Sequence, residues 1–135
     1  MEFLAILKDR GLKATPQRIA VLRELGKKTH PTMEEMYSSI REENPTISLA
    51  TVYKNVNLLK EQGIVIEINM PNGKMRYDYF ARPHIHIICK NCGRIEDLDY
   101  DKNLLNFQNV LEKDREVIID RLDVVALVER CSVCK

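Results

Sequence analysis

An α+β fold in two parts is what the sequence predicts, on three observations. Helix starts recur through the first half, two short β-type runs flank an Asn-Gly turn after Gly63, and the second half holds two Cys-x-x-Cys pairs beside a His-x-His pair. In a chain of 135 residues, two such units are each marginal unless a cross-link or a partner surface supports them.

Thr15 before Pro16 has the form of an N-cap with proline at the first helical position, and Ile19, Val21, Leu22 and Leu25 then make a helical stripe. Thr32 and Glu35 have capping-box spacing, with Met33, Met36, Tyr37 and Ile40 as the next buried stripe. Ser48 caps a third helix, in which Leu49, Val52, Val56 and Leu59 recur at helical period and Gly63 is the stop. Beyond it, "IVIEI" and "MRYDYF" are joined by "NMPNGK", whose Asn72-Gly73 signals a hairpin. Three helices followed by a two-stranded hairpin predict a winged helix-turn-helix, the helix before the hairpin being the recognition helix.

"ARP" at 81–83 is a hinge candidate, because Pro83 restrains Arg82 and interrupts strand pairing. After it, "HIHIICK" and "RIEDLDY" read as strands, "DKNLLNFQNVLEK" as an amphipathic helix and "VIIDRLDVVALVE" as one long strand. A unit of about fifty residues usually needs a metal or a partner to fold.

Bulk charge identifies no partner. Residues 1–70 carry ten basic and nine acidic side chains and the remainder eleven of each, so nucleic-acid binding would rest on the placement of a few basic groups. The apolar run before Lys8, Asp9 and Arg10 is too short for a signal peptide, and no stretch is long enough to span a membrane. A soluble, cytoplasmic protein is expected.

In a reducing compartment, Cys89, Cys92, Cys131 and Cys134 suit a metal better than disulfides. Four thiolates fit tetrahedral Zn(II) and leave no open position, so the site would be structural. Free or redox-active thiols are the competing reading. If the cysteines saturate one zinc, the histidines need another explanation. His84 and His86 stand at i and i+2 on a predicted strand and share a face, with Asp97 on the next strand and Asp78 before the hinge. Imidazoles with carboxylates suit Fe(II), Mn(II) or Zn(II). Taken singly, a His-x-His pair can simply face the surface, His30 before Pro31 can be a turn residue, and Asp78 and Asp97 can be solvated carboxylates. A site that used all three histidines would join the two halves.

"GLKATPQR", "HPT", "SLATVYKNVNLL", "RYDYF", "HIHIICKNCGRIEDL" and "CSVC" together resemble the ferric uptake regulator family across nearly the whole chain. The resemblance implies a dimeric, metal-dependent winged-helix transcription regulator, with a DNA-binding domain over residues 1–80, a hinge over 81–83 and a dimerisation and metal-binding domain over 84–135. It assigns Cys89, Cys92, Cys131 and Cys134 to structural zinc, and His30, Asp78, His84, His86 and Asp97 to a regulatory metal, Fe(II) or Mn(II). The family pattern after Cys-Gly selects Asp97 over Glu96, and a shift of one would also turn the side chain to the opposite face. Aspartate at both carboxylate positions resembles the peroxide-responsive branch, since iron-responsive members typically carry glutamate there. Pro83 and Ile85 stand where iron- and zinc-responsive relatives often have ligands, so a further metal site is not expected.

By that resemblance the chain is expected to repress transcription from double-stranded operator DNA and to respond to hydrogen peroxide through Fe(II)-mediated oxidation of His30 or His84. On the recognition helix, Tyr53 offers an aromatic surface to thymine methyls, Ala50 permits close approach, and Thr51, Lys54 and Asn55 are candidates for phosphates or base edges. The resemblance adds Lys13 and Arg18; Lys74 and Arg76 near the wing are further candidates. Burial of Tyr53 in the core and simple solvation of Lys54 are the alternatives. Rival functions are a repressor sensing iron or manganese abundance, a mononuclear metalloenzyme, and a zinc-stapled interaction module with no regulatory metal. The enzyme reading lacks a distinct acid, base and substrate constellation.

Overall fold

A computed structural model describes residues 2–79 and 84–134. Contacts divide them into two compact units that part between residues 79 and 84. The expected hinge at 81–83 lies outside the described residues.

The first unit holds four helices and a hairpin: α1 (Glu2–Asp9), α2 (Pro16–Leu25), α3 (Met33–Glu43), α4 (Leu49–Glu61), β1 (Val65–Asn69) and β2 (Met75–Tyr79). The sequence reading gave only three helices. The charges of Lys8, Asp9 and Arg10 obscured α1, yet Leu7 is fully buried and the Phe3 ring meets Tyr79 edge-on at 5.9 Å. The three other starts form as read. Thr15, Thr32 and Ser48 each accept a backbone N–H three residues on, and at Thr32 the Glu35 carboxylate reciprocates to complete the capping box. Helix α4 ends in a Schellman turn, with Ile64 N–H on the Leu59 carbonyl, Gly63 N–H on Lys60, and Gly63 at φ 73°.

The stripes of these helices meet in one core with Ile64, Val65, Tyr77 and Tyr79 from the hairpin. Strands β1 and β2 pair antiparallel, with Ile66 opposite Asp78 and Ile68 opposite Arg76. Their loop is longer than a two-residue Asn-Gly turn. Gly73 at φ 82° donates its N–H to the Met70 carbonyl, and Met70 N–H bonds the Lys74 carbonyl.

The second unit contains β3 (His84–Cys89), β4 (Ile95–Asp99), α5 (Lys102–Arg115) and β5 (Val124–Val128). The sheet order is β4-β3-β5, with β3 antiparallel to β4 and parallel to β5. The long strand expected over 117–129 is corrected to its last part. Glu116 closes α5 in the left-handed region at φ 53°, Ile119 N–H is drawn to the Glu112 carboxylate, and Arg121 pairs with Asp123, which leaves pairing to begin at Val124. Helix α5 buries none of its residues within the chain.

Candidate metal centres

The end of β3 supplies Cys89, the turn after it Cys92, and the segment after β5 both Cys131 and Cys134. Parallel pairing of β3 with β5 brings Cys89 beside Val128 and so delivers the second pair to the first. All four sulfurs lie within 4.8 Å of one another, with Cys89 to Cys134 at 3.5 Å, Cys92 to Cys131 at 3.7 Å and Cys131 to Cys134 at 3.5 Å. These separations exclude disulfides, whose sulfurs lie about 2 Å apart. They match the edge of a tetrahedron with bonds of about 2.3 Å to a central zinc, roughly 3.8 Å.

Backbone N–H groups of Cys92 and Cys131 both point at Cys89 Sγ, at 3.5 and 3.2 Å. Chiefly through the Cys92 N–H, the Cys89 thiol falls to about 6. At Cys92 the Arg94 N–H works in the lowering direction, but burial and the neighbouring sulfurs outweigh it and the thiol rises to about 11. Four crowded sulfurs cannot all ionise by themselves, and a divalent cation removes that conflict. The donors fit zinc and saturate it.

The histidines lie apart from this cluster in chemistry. On β3, His84 and His86 share a face, with Nε2 atoms 3.0 Å apart and ring centres 4.5 Å apart. Asp97 is directly opposite His86 in the register, and its Oδ1 lies 3.3 Å from His86 Nε2 and 3.9 Å from His84 Nε2. Glu96 opposes Ile87 and belongs to the other face. Both histidines are buried, and two imidazole nitrogens with one carboxylate oxygen suit Fe(II), Mn(II) or Zn(II).

In the first unit, His30 and Asp78 form a second group. His30 Nε2 lies 3.7 Å from Asp78 Oδ2, and both residues are buried. His30 adopts φ 51°, which the left-handed region rarely grants to a side-chain-bearing residue. Two bonds hold the segment there. Arg76 Nη1 donates to the His30 carbonyl at 2.9 Å, and Tyr77 N–H donates to the Pro31 carbonyl at 3.0 Å.

Of the candidate nucleic-acid contacts, Ala50, Tyr53 and Lys54 are exposed on α4 while Thr51 and Asn55 are half-buried. Tyr53 is 40% exposed and is no core residue. Asn55 spends its amide on the Thr51 carbonyl, and Thr51 bonds the Ser48 hydroxyl. Lys13 is exposed and its carbonyl accepts from the Arg18 guanidinium at 2.8 Å. Arg76 departs from the wing role considered for it, because its guanidinium turns to His30 and to Glu35 Oε1 at 3.3 Å. Sequence reasoning also passed over Lys28, whose Nζ lies 3.0 Å from Asp78 Oδ1. Its only signal was proximity to His30, since no periodicity governs a turn.

The sequence pattern of the ferric uptake regulator family matches residues 9–125. The chain belongs to the ferric uptake regulator family. Within this family it is 35% identical over 134 residues to the peroxide-responsive repressor of Staphylococcus aureus, covering 97% of this chain and 90% of that one. It superposes on the Campylobacter jejuni peroxide stress regulator with a TM-score of 0.83 at 49% identity, covering 99% of this chain and all of that one. The Helicobacter pylori ferric uptake regulator, described as having three functional metal-binding sites, matches with a TM-score of 0.72 at 30% identity over 97% of this chain and 87% of that one. Family membership and fold therefore agree with the donor chemistry. Among the described residues, no helix is long and apolar enough to cross a membrane.

Proposed function

We propose that this family member is a cytoplasmic, homodimeric, metal-dependent repressor that binds operator DNA and senses hydrogen peroxide. The observation that carries the reading is the separation of two donor chemistries: four thiols that would saturate one ion, and histidine beside aspartate within each of the two units. Similarity to peroxide regulators of two organisms supports it.

Cys89, Cys92, Cys131 and Cys134 hold structural zinc and staple the small second unit. His30 and Asp78 from the first unit, with His84, His86 and Asp97 from the second, share one regulatory Fe(II) or Mn(II). Ligands drawn from both units make the ion favour one arrangement of the DNA-binding units, and by linkage operator DNA tightens metal binding by the same factor. Ferrous iron held by these residues would supply reactivity toward hydrogen peroxide, and His30 or His84 would be the residue oxidised, taking one peroxide oxygen in place of a ring hydrogen while the other leaves as water. The altered ring is a poorer ligand, so the metal and the DNA are both released. Each molecule reacts once, which is sensing without enzymatic turnover.

Lys13, Arg18, Ala50, Thr51, Tyr53, Lys54 and Asn55 form the DNA-contacting set, with Tyr53 and Ala50 nearest the bases. The homodimer reading draws on the second unit's apolar surface. Leu105, Phe107 and Val110 on α5 and Val125 and Leu127 on β5 are each at least 46% exposed, five large apolar side chains that a second copy of the chain would cover. The test is operator binding by Mn(II)-loaded protein, using duplexes selected in vitro, before and after the five regulatory ligands are replaced singly. Loss of binding with zinc content unchanged supports the proposal. DNA binding indifferent to all five replacements would refute it and leave a zinc-stapled DNA-binding module.

A further inference from the structure

We propose that Lys28 is a built-in competitor for the metal at the His30 and Asp78 half of the regulatory site, so that its ammonium sets how much free metal the regulator requires. The inference rests on the regulatory-site reading above and concerns a residue that reading leaves without a part.

Asp78 is 1% exposed, and a carboxylate so far from water needs a counter-charge. Lys28 Nζ provides one at 3.0 Å from Oδ1, while His30 Nε2 lies 3.7 Å from Oδ2, and the ammonium also sits 4.6 Å from the centre of the Tyr79 ring. The neighbouring lysine does something different. Lys27 pairs with Glu24 three residues earlier, with 56% of its own side chain exposed. Lys28 also holds φ 60°, a conformation that favours glycine, and a lysine kept in a strained backbone position points to a task for its side chain. With 40% of that side chain exposed, the ammonium has a path outward to water when another cation claims the carboxylate.

A divalent ion bound by Asp78 must either displace this ammonium or tolerate a like charge a few ångströms away. Both weaken binding. Removing the charge therefore strengthens metal binding, whereas losing a contact that merely orients Asp78 would weaken it. The sign separates the two roles.

The experiment measures Mn(II) affinity by chelator competition on the full-length, zinc-loaded protein, with free Mn(II) read by electron paramagnetic resonance. Lys28→Met should bind Mn(II) about tenfold more tightly than the unaltered chain, and Lys28→Arg should restore the original affinity. Lys28→Asn, neutral and tolerant of positive φ, should follow Lys28→Met and serves if that variant folds poorly. Equal or weaker binding in the neutral variants overturns the proposal. Asp78→Asn and His84→Ala run alongside. If neither weakens Mn(II) binding, the regulatory-site reading has itself failed; if both do while Lys28→Met leaves affinity unchanged, only the role of Lys28 falls.

Discussion

Asp97 and Glu96 are adjacent carboxylates, and strand alternation alone decides which of them reaches the histidines. Replacing Asp97 by alanine should lower Mn(II) affinity at least as much as the roughly 10- to 100-fold loss usual for a ligand's supporting partner, while Glu96→Gln should leave it unchanged in the same chelator competition. At the zinc cluster, Cys89 accepts two backbone N–H groups and ends at about 6, so it enters the metal at little cost in proton release near neutral pH. Cys131→Ser should abolish zinc, read as metal content per chain, and with it the cooperative melting of the second unit, because structural zinc contributes apparent binding energy of roughly 10 to 16 kcal/mol to folding. Residue identity carried much of this in advance. The cysteine spacing and the shared face of His84 and His86 were legible because each depends on local geometry. Lys28 and the turn of Arg76 toward His30 were not, since both depend on a left-handed turn that no periodic pattern encodes.

Capping chemistry decides where helices begin, and it was the most readable feature of the elements. Thr32→Ala should cost about 1 kcal/mol of stability, measured by urea unfolding, since it removes the acceptor for Glu35 N–H. The Thr32 N–H donating to the Glu35 carboxylate is the first cause that holds its pKa below 4.5. The sign follows. A lowered folded-state pKa adds stability at pH values above 4.5, and this advantage over Glu35→Gln fades as pH falls through the depressed value. Unfolding curves of the two proteins between neutral pH and pH 3 should therefore converge at the acid end. Periodicity found α2, α3 and α4 because their apolar stripes are unbroken. It missed α1, where one turn of apolar residues runs straight into charges, and it overextended β5, because Val117, Ile118 and Ile119 have strand-like composition but pair with no strand among the described residues.

For the whole molecule, the composition was silent and the pattern of exposure is informative. Charge is balanced in both halves, so DNA binding would depend on presenting two copies of α4 at one fixed spacing. Phe107→Glu, at a residue 52% exposed on α5, should convert a dimer to a monomer in analytical ultracentrifugation and weaken operator binding with zinc retained; an unchanged sedimentation coefficient would place the dimer surface elsewhere. The sequence marked a boundary at the 81–83 hinge candidate, where Pro83 interrupts strand pairing, and the described residues form two compact units that part between residues 79 and 84. The proposed sharing of one metal by ligands distant in sequence was suggested by the chain's having only three histidines and was specified residue by residue by the family resemblance.

The most direct test loads the purified protein anaerobically with Fe(II) or with Mn(II), adds hydrogen peroxide, and follows operator binding together with the masses of peptides covering His30, His84 and His86. The account predicts that the iron form alone releases DNA and gains one oxygen atom on His30 or His84. DNA retained and histidines intact in both metal forms would contradict it and make the protein a regulator of metal abundance.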